Sequence, residues 1–261
     1  MEIHDLIKKL RKYEIRIRKA INHQMQGDFH SVFKGSGLEF DDVRLYQYGD
    51  DVRAINWNVS AKGHGTYIKT FKEEKEQIIF FILDVSASQE IGQMGQQKID
   101  IGKEICGVLT LSAIKEGSQV GLICFSDQKE KYLEPGKSTN HAYELIVNLY
   151  RLVPKSLKTN LKRSLGFTLN ILKRKSIIIL ISDFIAVDYE KNLRAMSNKH
   201  DLVVIHLRDQ RETNFPRLGI IPIFDKETQK TIWVNTSSSR FRKNINNDFD
   251  ENKSRLLHLC R

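Results

Sequence analysis

Ile78-Ile79-Phe80-Phe81-Ile82-Leu83 runs directly into Asp84-Val85-Ser86-Ala87-Ser88. Six consecutive apolar residues suit a strand buried on both faces of a parallel sheet. The carboxylate and the two hydroxyls then fall where the strand ends and the chain turns. Their alternation places three small oxygen ligands on one side of a short loop. Oxygen donors suit a hard cation such as Mg2+, which prefers octahedral geometry and keeps several waters. Asp and Ser also make ordinary turns, so the loop has a purely structural reading beside the metal one.

Two further segments point to the same edge. A second apolar run, Ser176-Ile177-Ile178-Ile179-Leu180-Ile181, ends in Ser182-Asp183-Phe184, and Lys158-Thr159-Asn160 opens an amphipathic segment. In a doubly wound sheet, ligands gather outside the carboxyl ends of the strands. Asp84, Ser86, Ser88, Thr159 and Asp183 are therefore expected to converge, although they are far apart in the chain. Together they match the ligand set of a metal-ion-dependent adhesion site. The region from 76 to 236 resembles a von Willebrand factor A domain. That resemblance implies Mg2+, or another divalent cation such as Mn2+ or Ca2+, as the bound ion.

A chain of 261 residues, 40% hydrophobic and 28% charged, has the composition of a globular protein with one domain or one domain plus an insert. No apolar run approaches the roughly eighteen residues needed to span a bilayer. The first 26 residues carry charge throughout and lack a secretory apolar core, so a cytoplasmic protein without a membrane span is expected. Cys106, Cys124 and Cys260 form no paired metal motif and read as buried or terminal thiols.

The net charge of +10 would fit nucleic acid or anionic lipid, but its distribution says more. Arg151, Lys155, Lys158, Lys162, Arg163, Lys173, Arg174 and Lys175 follow one another with no acid between, bracketing Thr159. They read either as a solvated helix face or as a positive rim suited to an acidic partner. Phe167 alone interrupts them, which argues against a single-strand nucleic-acid platform.

From 76 onward apolar runs and helical periodicities alternate, which implies a parallel α/β core. Strands are expected at 78–83, 120–125, 176–181 and 202–207, and helices near 98–113, 140–152, 160–173 and 189–198. The segments 220–224 and 231–234 flank a hairpin turn at 225–230, and a short helix over 252–259 closes the chain. Ile3, Leu6, Ile7, Leu10, Tyr13, Ile17 and Ile21 predict an amphipathic helix over 1–27. Residues 28–75 read as a small strand-and-loop subdomain, 76–245 as the α/β domain and 246–261 as a helical tail.

Within the small subdomain, Gly35-Ser36-Gly37-Leu38-Glu39-Phe40, Arg44-Leu45-Tyr46, Gly49-Asp50-Asp51-Val52-Arg53, Ile55-Asn56-Trp57 and Ser60-Ala61-Lys62 follow closely. They resemble the signature of domain-of-unknown-function family 58, as do Pro216-Arg217-Leu218-Gly219 and Asp225-Lys226-Glu227-Thr228. The resemblance implies a bacterial protein with a von Willebrand factor A-like sheet and helices on both faces. It also implies a MoxR-type AAA+ ATPase as partner. Asn56, Gln89 and Ser118 depart from that family's usual Asp, Met and Asp. A structural reading of the block has Arg44, Asp50, Asp51 and Arg53 pairing to lock the subdomain onto the sheet. In that reading Trp57 is buried and glycines 35, 37 and 49 serve turns with positive φ.

The expectation is a protein-interaction module, an adaptor or co-chaperone, that binds an Asp or Glu of its partner through the metal. The rivals are an Mg2+-dependent phosphoester hydrolase and nucleic-acid binding. The first lacks a second carboxylate in the Asp84 loop, a recognisable triad and a Gly-rich phosphate loop, so no enzyme is expected.

Overall fold

The computed structural model describes residues 38–63, 65–73, 77–93, 95–214 and 216–260. The helix expected over 1–27 lies outside them, as do Gly35 and Gly37. Strands β1 (Leu38–Leu45) and β2 (Tyr67–Glu73) pair antiparallel, with the short helix α1 (Trp57–Ser60) between them. Ile55 bridges to Ile68, and both are buried. Gly49 has φ +105, the left-handed backbone expected of it. Two expectations here are corrected. Arg44 makes a bidentate pair with Asp50 at 2.7 and 2.8 Å, but inside the subdomain rather than across to the main sheet. Trp57 is 69% exposed, because a helix of one turn has no buried face of its own and the apolar burial here is carried by Ile55 and Ile68.

The main body alternates strand and helix. In order come β3 (Ile78–Asp84), α2 (Lys98–Lys115), β4 (Gln119–Phe125), β5 (Lys129–Gly136) and α3 (Thr139–Arg151). Then follow α4 (Leu161–Ile171), β6 (Ile177–Ser182), α5 (Glu190–Lys199) and β7 (Asp201–His206). The sheet order is β5-β4-β3-β6-β7, parallel except for the antiparallel edge strand β5. The fold is α/β with a mostly parallel sheet. The hairpin β8 (Ile220–Asp225) and β9 (Lys230–Asn235) forms a separate two-stranded sheet ahead of α6 (Ser239–Leu259). Helix α6 starts at Ser239 rather than 252, capped by the Ser238 hydroxyl, and runs unbroken through the boundary expected at 245.

Because side chains alternate along a strand, β3 feeds two cores. Ile79, Phe81 and Leu83 pack with Cys106 of α2 and Leu145 and Leu149 of α3. Phe80 and Ile82 pack on the other face with Leu161 of α4, Met196 of α5 and Leu256 of α6. Helices on both faces explain why the parallel strands are apolar throughout. Cys106 and Cys124 lie in this interior, and burial pushes the Cys124 thiol up to about 12.

At Gly121, β4 passes close against the Phe80 ring. A Cβ on Gly121 would sit 2.4 Å from Phe80 Cε1 and 3.1 Å from the Leu133 carbonyl oxygen. Gly121→Ala is expected to cost about 1–2 kcal/mol in urea unfolding, because ring and edge strand must both shift. An unchanged midpoint would show that they yield freely.

Candidate metal centre

Strand β3 connects through α2 to β4 on one side, while β6 lies on its other side and continues outward to β7. The chain direction across the sheet therefore reverses between β3 and β6. Loops leaving the carboxyl ends of two such strands diverge and leave a crevice. Asp84 ends β3, Ser182 ends β6, and Asp183 follows it. Asp84 Oδ2 accepts a hydrogen bond from Ser182 Oγ at 2.8 Å, which ties the two strand ends together.

The first loop folds back on its own carboxylate. Asp84 Oδ1 accepts from Ser86 N at 3.0 Å and Ser86 Oγ at 2.7 Å, and Ser88 Oγ lies 3.0 Å from Ser86 Oγ. Asp84 is fully buried. Burial pushes its carboxyl up to about 6, the charge of Asp183 adds to that, and the bonds from Ser86 and Ser182 oppose it. Gln89 is also buried. Its Nε2 lies 3.4 Å from Asp84 Oδ2, and its Oε1 has no hydrogen-bond donor.

Thr159 sits on a neighbouring loop. Ala87 N donates to Leu157 O at 3.0 Å, which seats that loop against the first, and Asn160 N donates to Ser126 O at 3.4 Å, which ties it to the end of β4. Asn160 then caps α4 by accepting from Arg163 N. The Thr159 hydroxyl donates to Glu227 Oε1 at 2.7 Å, on the β8–β9 turn. Lys158, Lys162 and Arg163, beside it, are exposed.

Asp183 accepts a hydrogen bond on each of its oxygens. Its Oδ2 accepts from Lys98 Nζ at 2.7 Å and its Oδ1 from Ile185 N at 3.2 Å. Lys98 also donates to Glu212 Oε1 at 2.5 Å, and the three side chains are only 2–4% exposed. Burial alone pulls the Lys98 pKa down, yet Asp183 and Glu212 outweigh it and hold the ammonium above the ordinary lysine range. The backbone turns just after Asp183 through Phe184, a buried residue at φ +55 whose ring packs tilted against Tyr189 and edge-on to His206. A left-handed Phe stores about 1–3 kcal/mol, a strain typical of functional loops.

Asp84, Ser86 and Ser88 are thus joined in one hydrogen-bonded chain. Thr159 and Asp183 lie on adjoining loops, each engaged by a partner the sequence did not reveal. Among the described residues, no three His, Cys, Asp or Glu side chains gather as a metal site. A centre built on hydroxyls needs no such group, and two observations fit a hard divalent cation. Mg2+ with oxygens at about 2.1 Å sets adjacent ligands about 3.0 Å apart, the spacing of the Ser86 and Ser88 hydroxyls. The buried cluster also holds three carboxyl groups, Asp84, Asp183 and Glu212, to the one ammonium of Lys98, an excess of acidic oxygens that suits a dication. Ser86, Ser88 and Thr159 would hold the ion, with Asp84 and Asp183 supplying charge.

A family model described as "Protein of unknown function DUF58" matches residues 42–255, a span that contains every residue of this centre. The chain belongs to the DUF58 family. Uncharacterized proteins of Mycobacterium bovis and Mycobacterium tuberculosis are 23% identical to it over 222 residues, covering 84% of this chain and 70% of theirs. Among solved structures, BatB from Bacteroides thetaiotaomicron is 13% identical with a TM-score of 0.45, covering 67% of this chain and 87% of that one. An aerotolerance-related membrane protein from Bacteroides fragilis is 13% identical with a TM-score of 0.44, covering 70% and 98%. Among the described residues of this DUF58 chain, no helix is long and apolar enough to cross a membrane.

Proposed function

We propose that this chain is a protein-interaction module whose divalent cation, Mg2+ by preference, binds an Asp or Glu side chain of a partner. The observation that carries the reading is the chain of oxygens Asp84–Ser86–Ser88 at the carboxyl ends of β3 and β6, with the Thr159 hydroxyl on the adjoining loop. Neutral hydroxyls leave a cation electrophilic, so an outside carboxylate is a strong additional ligand. The exposed Lys158, Lys162 and Arg163 favour an acidic approach. The sheet then belongs to the von Willebrand factor A-like group. The partner is a MoxR-type AAA+ ATPase or its client, met in the cytoplasm, and the chain acts as adaptor rather than enzyme.

Thr159→Ala is expected to weaken Mn2+ binding about tenfold in calorimetry while the circular dichroism spectrum stays unchanged. Pull-downs with Mg2+, with chelator and with Asp84→Ala test the partner. An AAA+ ATPase held only by the wild type in Mg2+ supports the reading. The same proteins captured in all three samples overturn it, as does phosphoester hydrolysis that disappears in Asp84→Ala.

A further inference from the structure

The β8–β9 turn carries two successive charged residues, and each reaches a different loop of the centre. Lys226 Nζ pairs with Glu90 Oε2 at 2.6 Å, just beyond Ser88. Glu227 Oε1 accepts the Thr159 hydroxyl at 2.7 Å. The turn is itself braced. Asp225 accepts from Glu227 N at 2.9 Å and from Thr228 Oγ1 at 2.6 Å, and Gln229 Nε2 donates to the Lys226 carbonyl at 2.8 Å. These bonds fix the turn and aim the Glu227 carboxylate at Thr159.

A hydroxyl that donates its proton to a carboxylate keeps lone pairs for a cation. Thr159 can therefore serve the ion and Glu227 together, which places a carboxylate of this chain where a partner's would arrive. We infer that Glu227 is the centre's own acidic ligand, and that an external Asp or Glu binds only by displacing the β8–β9 turn. The inference rests on the proposed cation site and adds its regulation. A tethered carboxylate competes at high effective concentration, so the wild type meets a free acid with a reduced apparent affinity. The Lys226–Glu90 pair is nearly half exposed and adds little to the closed state, so the turn stays displaceable.

The test uses the full chain, Mn2+, and a neutral decapeptide carrying one central glutamate. In saturating Mn2+, Glu227→Ala and the isosteric Glu227→Gln are expected to bind the peptide about tenfold more tightly than wild type. Chelator should abolish binding in all three. Adding peptide to the wild type should speed amide exchange at residues 225–230. Equal peptide affinity in chains that all bind Mn2+ would overturn the self-ligand and leave the cation site standing. Absence of Mn2+ binding in wild type and variants alike would overturn both.

Discussion

Lys98→Met is expected to lower stability by about 3–5 kcal/mol, the largest loss of any single change at the centre. Lys98 is almost wholly buried, and its ammonium is the common partner of Asp183 and Glu212. Methionine fills much of the same space but leaves two carboxylates in the interior without their cation. Removing one partner of a buried ion pair is far more costly than replacing the whole group with apolar residues. For a chain of this size such a loss lowers the melting temperature by about 10 °C. The effect also has a location. Lys98 opens α2, Asp183 follows β6 and Glu212 lies after β7, so one nitrogen holds three segments together at the carboxyl end of the sheet. The triple variant Lys98→Met, Asp183→Asn, Glu212→Gln should recover most of the lost stability, since no unpaired charge remains. A single-variant loss below about 1 kcal/mol in urea unfolding would mean that water reaches the cluster and the triad does little.

The reason sequence reading missed this triad is physical. Lys98 meets its partners 85 and 114 positions away, and no local pattern encodes such a pairing. One weak signal was present: a positive charge at the first position of a helix opposes the macrodipole, so it needs another reason to be there. Glu227 was hidden in the same way, 68 positions from Thr159, inside a stretch that reads as an ordinary hairpin turn. The strands were legible because burial on both faces forces uninterrupted apolar runs, as in Ile177-Ile178-Ile179-Leu180-Ile181. The Asp84 loop was legible because small oxygen-bearing side chains alternate directly after such a run. Helix α6 was half legible. Phe241, Ile245 and Phe249 recur every four residues, but too many polar neighbours dilute the stripe, and the Ser238 cap decides where it begins. Trp57 misled because size suggests burial, whereas a one-turn helix gives an indole nothing to lie under.

Asp84→Asn is expected to invert the stability order of wild type and variant, depending on whether the cation is present. In the metal-free wild type, burial raises the Asp84 carboxyl to about 6, well above the roughly 3.9 of an unfolded chain. Between those values the folded state holds a proton that the unfolded state has released. Stability therefore falls as pH rises through that window and levels off only once the folded carboxyl is itself ionised. Asparagine carries no such charge. Its Oδ1 can accept from Ser86 as before, and its Nδ2 faces Ser182 Oγ, a hydroxyl that accepts as readily as it donates. The metal-free variant should accordingly show a flatter profile from pH 4 to 7 and exceed wild type at pH 7.5. Saturating Mn2+ reverses this, because the ion binds the ionised carboxylate and stabilises only the chain that has one. Below pH 5 the wild type should gain little from Mn2+, since binding must first expel the proton. Urea unfolding at pH 5 and 7.5, with and without Mn2+, separates the cases. Parallel pH profiles for the two chains would show that Asp84 is not the group that titrates. Equal stabilisation of both by Mn2+ would place the cation away from Asp84. Only a crossing of the two curves ties the buried charge at the end of β3 to the ion that neutralises it.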